Sequence, residues 1–253
     1  MKTKTRNIPK VTDKYSGICK MPIKAHEIFG KISLIAAAVF VFAYSFIPYN
    51  PEYGNHASTF SNVGRDHRIL FAVWGFLVCL ALLVNLDYLV RKYGIKTKFP
   101  NIMGILGSVG ALGFVVFKNE KHDKFRVTFD SELYSGDYFG GPENLESKEN
   151  IFNFVFSLKT LHTVFVVIFG LCFAFSLLYC LITLASRSKK FVLVCVGFGI
   201  FMIAASVTFA VKLSGLSEAI AVDLVFILFY CMNYVKRLED NSILSDEYKN
   251  MKK

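Results

Sequence analysis

The sequence predicts an all-α membrane protein: a bundle of six transmembrane helices with both termini cytoplasmic and a small outer cap. Three observations lead there. Apolar residues are 54% of the 253 and charged residues only 19%, and the charges crowd into short blocks between nearly uncharged runs. Six of those runs approach the ~20 mostly apolar residues that a helix needs to cross the hydrocarbon core. Most of the 29 Lys and Arg fall on one side of the layout these runs define. The pattern excludes a soluble globular domain, a disordered chain and a coiled coil.

The first run covers 32–49, ISLIAAAVFVFAYSFIPY, and the KAHEIFGKI stretch before it reads as an interfacial turn. The second covers 68–90, centred on FAVWGFLVCLALLV. The third, 100–117, opens at Pro100, which suits a first helical turn. The fourth is 161–185, the fifth 191–211 and the sixth 217–235. Backbone polar groups in lipid must be satisfied internally, so these runs read as helices, and the alternation of a membrane barrel is absent.

Outside the spans, 1–31 is a basic cytoplasmic segment, 118–160 an outer loop within the 32–235 membrane domain, and 236–253 a polar, solvated cytoplasmic tail. In the loop, Phe125, Val127 and Phe129 alternate with Arg126, Thr128 and Asp130, a strand pattern. SGDYFGGPE supplies turn chemistry, so a short hairpin or cap over the outer mouth is expected. NIFNFVFSLKT, 150–160, reads as an amphipathic run that extends the fourth helix or lies in the interface.

Orientation follows from the cations. Eight precede the first span, from Lys2 to Lys31. Arg91, Lys92, Lys96 and Lys98 follow the second, Arg187, Lys189 and Lys190 follow the fourth, and Lys236, Arg237, Lys249, Lys252 and Lys253 follow the sixth. Lys/Arg excess marks the cytoplasmic side, so both termini fall inside, which needs an even number of spans. The net charge of +10 is therefore an orientation signal with some attraction to anionic inner-leaflet lipid, and no nucleic-acid partner is expected. The basic region is too long for a cleavable signal peptide and no lipidation box is visible. The plasma (cytoplasmic) membrane is the expected location. Cys79, Cys172, Cys180, Cys195 and Cys231 fall inside the runs and Cys19 on the cytoplasmic side, so no disulfide framework is indicated.

Candidate chemistry is concentrated near the run ends. Gly104, Gly107, Gly110 and Gly113 give the third span a small-residue packing face, the natural contact for a protein partner or a second copy. Gly170, Gly197 and Gly199 invite the same reading. Asp87 and Arg91 stand at i and i+4, which reads as a local ion pair. Trp74, Val78, Leu82 and Asn85 share one face, with Asn85 bonding a neighbouring helix. Asp223 lies inside the sixth run, and an intramembrane carboxylate marks a functional site by default. With His56, Ser61, His67, His162 and Ser206 it forms the expected lining of an outer-leaflet polar pocket. These residue types suit a headgroup, proton transfer or zinc, but no metal-ligand spacing is present, and no metal or cofactor is expected. No G-x-S-x-G, phosphate loop or dinucleotide fingerprint occurs.

FSNVGRDHRILFAVWGFLV, entering the second run, resembles the Ser-x-x-Gly entrance of six-span damage-regulated autophagy modulator (DRAM)-type proteins. LHTVFVVIFG, entering the fourth, is similar to the helix-opening His of that group and its bacterial relatives. Ser61, Gly64 and His162 carry the match. Asn62 departs from the acidic residue usual there, and the 118–160 loop is long for the group. The resemblance implies a membrane protein tied to lipid organisation or signalling, with no defined reaction. The function expected from the sequence is non-catalytic binding of a lipid headgroup or small ligand. The alternatives are a lipid-modifying enzyme using His and Asp, with or without a metal, and a small transporter or channel.

Overall fold

The computed structural model describes residues 21–45, 64, 67–117, 124–126, 155–211 and 215–252. They form helices α1 Ile23–Tyr44, α2 Arg68–Lys92 and α3 Phe99–Val116, a ribbon of β1 Lys124–Arg126 and β2 Val155–Ser157, then α4 Leu158–Arg187, α5 Lys190–Val211, α6 Gly215–Tyr234 and α7 Asp246–Met251. Helices α1 to α5 are long and apolar enough to cross a membrane, which makes the chain an integral, multi-pass membrane protein. α6 adds a further helix of 20 residues.

The first helix begins well before the apolar run. KAHEIFGKI is helical, not a turn, because Ile23, His26, Gly30, Ser33, Leu34 and Ala37 recur at helical spacing on a buried face. Its polar residues find partners on α2, so polarity does not end the helix. α2 is the hub: it packs on α1, α3, α4 and α6. Phe71, Trp74, Val78, Ala81, Leu82, Leu86 and Leu89 are buried along it.

The glycine face of α3 is a packing face, turned mainly onto α4 of the same chain. A Cβ at Gly110 would lie 2.8 Å from the backbone N of Phe169 and 3.0 Å from the carbonyl of Phe165. One at Gly107 would lie 2.7 Å from the Phe173 ring. Gly170, Gly197 and Gly199 do not belong to any such face: a Cβ at each meets nothing within 4 Å. Leu193, Val196, Ile200 and Ile203 are exposed on α5, the helix of Gly197 and Gly199, a surface suited to lipid tails.

In the ribbon, Phe125 pairs with Phe156 in antiparallel register. Part of the strand pattern thus lies on β1, and its partner is 155–157, where the sequence suggested helix or interface. The rest of 118–154, including SGDYFGGPE, lies outside the described residues, so the cap stays an expectation.

Residues 21–26, the 93–98 and 188–189 links and 235–252 meet at one end of the bundle. Arg91 donates to the Met21 carbonyl at 2.7 Å, the Ser245 amide to the Lys92 carbonyl at 2.9 Å, and Ser188 Oγ to Asp240 at 2.6 Å. We call this the tail end. The tail itself is not simply solvated. It lies across the bundle with Leu244, Ser245 and Tyr248 buried, Tyr248 6.5 Å from the Tyr88 ring of α2.

Candidate functional site

The six residues expected to line a pocket behave differently from one another. His56 and Ser61 lie outside the described residues. His67 is exposed where α2 begins. His162 is buried, and its Nδ1–H donates to the carbonyls of Phe114 at 2.9 Å and Phe117 at 3.0 Å. These are acceptors that the last turn of a helix leaves free, so His162 ties the end of α3 to the start of α4. Ser206 is exposed and donates to its own i−4 carbonyl, Met202, at 2.8 Å. Asp223 is half-buried, and its Oδ1 is buried without a hydrogen-bond partner among the described residues. Among the described residues, no hydrogen bond or ion pair joins any two of His67, His162, Ser206 and Asp223.

Around His162 the bundle is closed by aromatic rings. Phe114 lies 6.1 Å from the His162 ring and 5.9 Å from Trp74, which stacks on Phe71 at 5.5 Å. Tyr44 of α1 completes the layer, 6.5 Å from Trp74. The Trp74–Val78–Leu82–Asn85 face of α2 thus begins in an aromatic layer and ends in a polar one.

That polar layer is centred on Asn85, which is fully buried. Its Nδ2 donates to Ala81 at 2.8 Å and to the Gly30 carbonyl of α1 at 3.1 Å. Its Oδ1 accepts from Tyr234 of α6 at 2.6 Å. Asn233 of α6 donates to the Asn85 carbonyl at 3.0 Å. One side chain therefore fastens three helices, as the sequence suggested for one neighbour.

A turn further along, charges collect. His26 donates Nε2–H to the Val84 carbonyl at 3.0 Å, and Arg91 donates into His26 Nδ1 at 3.2 Å. A carbonyl can only accept, so Nε2 carries the proton and Nδ1 offers its lone pair. Asp87 accepts from Asn101 of α3 at 3.2 Å and lies 3.9 Å from His26 Nδ1. Arg91 also binds Glu247 of α7. Asp87 and Arg91, expected as a local pair, thus both meet His26 and find further partners in a cluster drawn from α1, α2, α3 and α7.

Beside it, Lys92 is fully buried, 3.6 Å from Glu239 and 5.2 Å from the Tyr248 ring. Glu239 also binds Lys252. Burial pushes the Glu239 carboxyl up, but Lys252, Lys92 and Tyr248 outweigh it and hold it below the usual carboxylate range. Asp240 accepts from Ser188 and Ser242, which lower its carboxyl to about 2.

Sequence reasoning missed His26, Asn101, Asn233, Glu239 and Glu247. The available signal was the recurrence of Asn near the ends of apolar runs, at 85, 101 and 233. Among the described residues no group of three His, Cys, Asp or Glu is placed to hold a metal, and the five described cysteines are free thiols. No family model, curated protein or solved structure matches the chain.

Proposed function

We propose that the chain is a six-span, non-catalytic protein of the plasma (cytoplasmic) membrane that uses Asp223 to bind a lipid headgroup or small polar ligand from the outer leaflet. The observation behind this is a contrast. Asp87, Arg91 and Lys92 are buried and each meets a polar or charged partner. Asp223, on α6, keeps a buried Oδ1 unpartnered among the described residues. A carboxylate at membrane depth is costly and is retained where it does something. An ionised carboxylate only accepts, so its complement is a donor: an ammonium or hydroxyl headgroup, or a small cation.

Six spans and a cytoplasmic tail end are part of this reading. The length of α6 supports it, as does Arg91, which binds both the Met21 carbonyl and Glu247 and so brings the two ends of the chain to one end of the bundle, as an even number of crossings requires. The cation-rich links at that end suit the cytoplasmic side. The resemblance to DRAM-type proteins agrees with a lipid-linked role.

The test is native mass spectrometry of the purified chain with its co-purifying lipid. Asp223→Asn and Asp223→Ala are expected to lose a bound species that the parent retains, at equal expression and elution volume. Equal occupancy in all three proteins overturns the proposal.

A further inference from the structure

Beyond α6 the chain doubles back. Residues 235–252 cross the tail end from the α4–α5 link to α1 and α2. The attachment is mainly polar. Lys190 donates to the Glu239 carbonyl at 3.1 Å, Ser188 to Asp240 at 2.6 Å, and the Ser245 amide to the Lys92 carbonyl at 2.9 Å. Two ion pairs pin it to consecutive residues of α2: Glu247 to Arg91 and Glu239 to Lys92. Among its described apolar and aromatic side chains, Leu244 and Tyr248 are buried and Ile243 is partly buried against the core.

We propose that 235–252 is a releasable strap: it opens as one unit about Val235, under the control of the Arg91–Glu247 and Lys92–Glu239 pins, while the helical bundle stays folded. A segment with little buried apolar surface and solvent-reachable polar contacts belongs to the low-stability end of a structure and opens locally. The Glu247 side chain keeps 32% of its exposure, so salt reaches the Arg91–Glu247 pin, whereas the Lys92–Glu239 pin, 1% and 7% exposed, is shielded and opens only with the strap. The contacts that hold the bundle lie elsewhere. Asn85 with Gly30 and Tyr234, and α3 against α4, involve no strap residue. Opening therefore leaves them intact.

The consequence is a switchable surface. Closed, the strap covers Arg91 and Lys92, which are 7% and 0% exposed. Open, it presents both cations, with His26 and Asp87 behind them, to the aqueous side of the tail end. α7 starts from a Ser245 cap, whose Oγ accepts from the Tyr248 amide at 3.2 Å, so the strap carries a structured tip and recloses as a piece.

Hydrogen exchange of the full chain in lipid nanodiscs tests this, read at the Ser245, Tyr248 and Lys249 amides and at amides of α2 and α6. The parent strap is expected to exchange more slowly than an unstructured peptide of the same sequence. The Glu239→Gln, Glu247→Gln double variant is expected to accelerate strap exchange by about tenfold or more with α2 and α6 unchanged. Should the double variant fail to fold, Glu247→Gln alone, or raised salt on the parent protein, loosens the part-exposed Arg91–Glu247 pin and is expected to accelerate strap exchange in the same direction. A parent strap that exchanges like the free peptide overturns the proposal. So does a strap indifferent to both perturbations, or one that accelerates only together with α2 and α6.

Discussion

The hydroxyl of Tyr234 donates to Oδ1 of Asn85 across 2.6 Å, and the same hydroxyl stands where a side chain at residue 30 would have to go. Gly30 is therefore part of the polar layer without contributing a side chain. Its carbonyl accepts from Asn85 at 3.1 Å, and its missing Cβ leaves room for Tyr234. Interhelical hydrogen bonds in membranes contribute about 0.6–2 kcal/mol each. Asn85→Leu removes the side-chain bonds and orphans the Tyr234 donor, while Asn233 keeps the backbone carbonyl at position 85, so a loss of about 2–4 kcal/mol is expected in denaturant-detergent unfolding.

Gly30 and Tyr234 are expected to couple. Gly30→Ala in the parent displaces the Tyr234 hydroxyl. In Tyr234→Phe that hydroxyl is already gone, so the same substitution costs less. A double-mutant cycle on unfolding free energy checks this, and strict additivity would show that the hydroxyl does not set the requirement for glycine.

Glycines in α3 and α5 should respond oppositely. Gly110→Ala places a Cβ against backbone atoms of Phe165 and Phe169, which cannot rotate away. A loss of about 1–3 kcal/mol is expected. Gly197→Ala enters open space and is expected to be neutral or to gain up to about 1 kcal/mol from helix propensity. Thermal unfolding in one detergent compares the two directly.

His162→Ala is expected to lower stability by about 1–3 kcal/mol through the unpaired Phe114 and Phe117 carbonyls. Ligand occupancy at saturating lipid should remain. Melting curves with and without added lipid separate the effects. A variant that melts like the parent but loses lipid would return His162 to a binding site.

Asp240 gives the strap an acid limit. Its carboxyl sits at about 2 in the folded chain, below the ~3.9 of a free aspartate, because Ser188 and Ser242 bond its charged form. A depressed carboxyl stabilises above the unfolded value and loses that contribution as pH falls through the folded one. The Ser188–Asp240 attachment is thus expected to hold down to about pH 4 and to weaken between about 4 and 2. Asp240→Asn should lack that acid step. Proteolytic sensitivity near residue 240, followed against pH, reads it.

The spans were legible because a membrane helix is a statement about length and apolarity, and α2, α3 and α5 start and stop within two residues of the apolar runs. α1 was misjudged by nine residues at its start because the polar residues His26 and Glu27 hide a helix whose partners lie far along the chain. The candidate site was legible only where a polar group stood alone in an apolar run, as with Asn85 and Asp223. His162 has the right chemistry for a ligand, and its bonds to the Phe114 and Phe117 carbonyls could not be read in side-chain patterns. The Arg91–Glu247 pair joins residues 156 apart, and nothing local to either names the other. The six-residue helix that carries Glu247 is too short for periodicity to reveal.

The most direct test is the sidedness of labelling on single cysteines introduced at Lys96, Lys189, Lys249 and Asp137 in a chain stripped of native cysteines. A membrane-impermeant maleimide applied to intact cells should label only position 137, and applied to inside-out vesicles only 96, 189 and 249. Labelling of 249 from the side opposite to 96 and 189 would mean an odd number of crossings and would contradict the six-span arrangement.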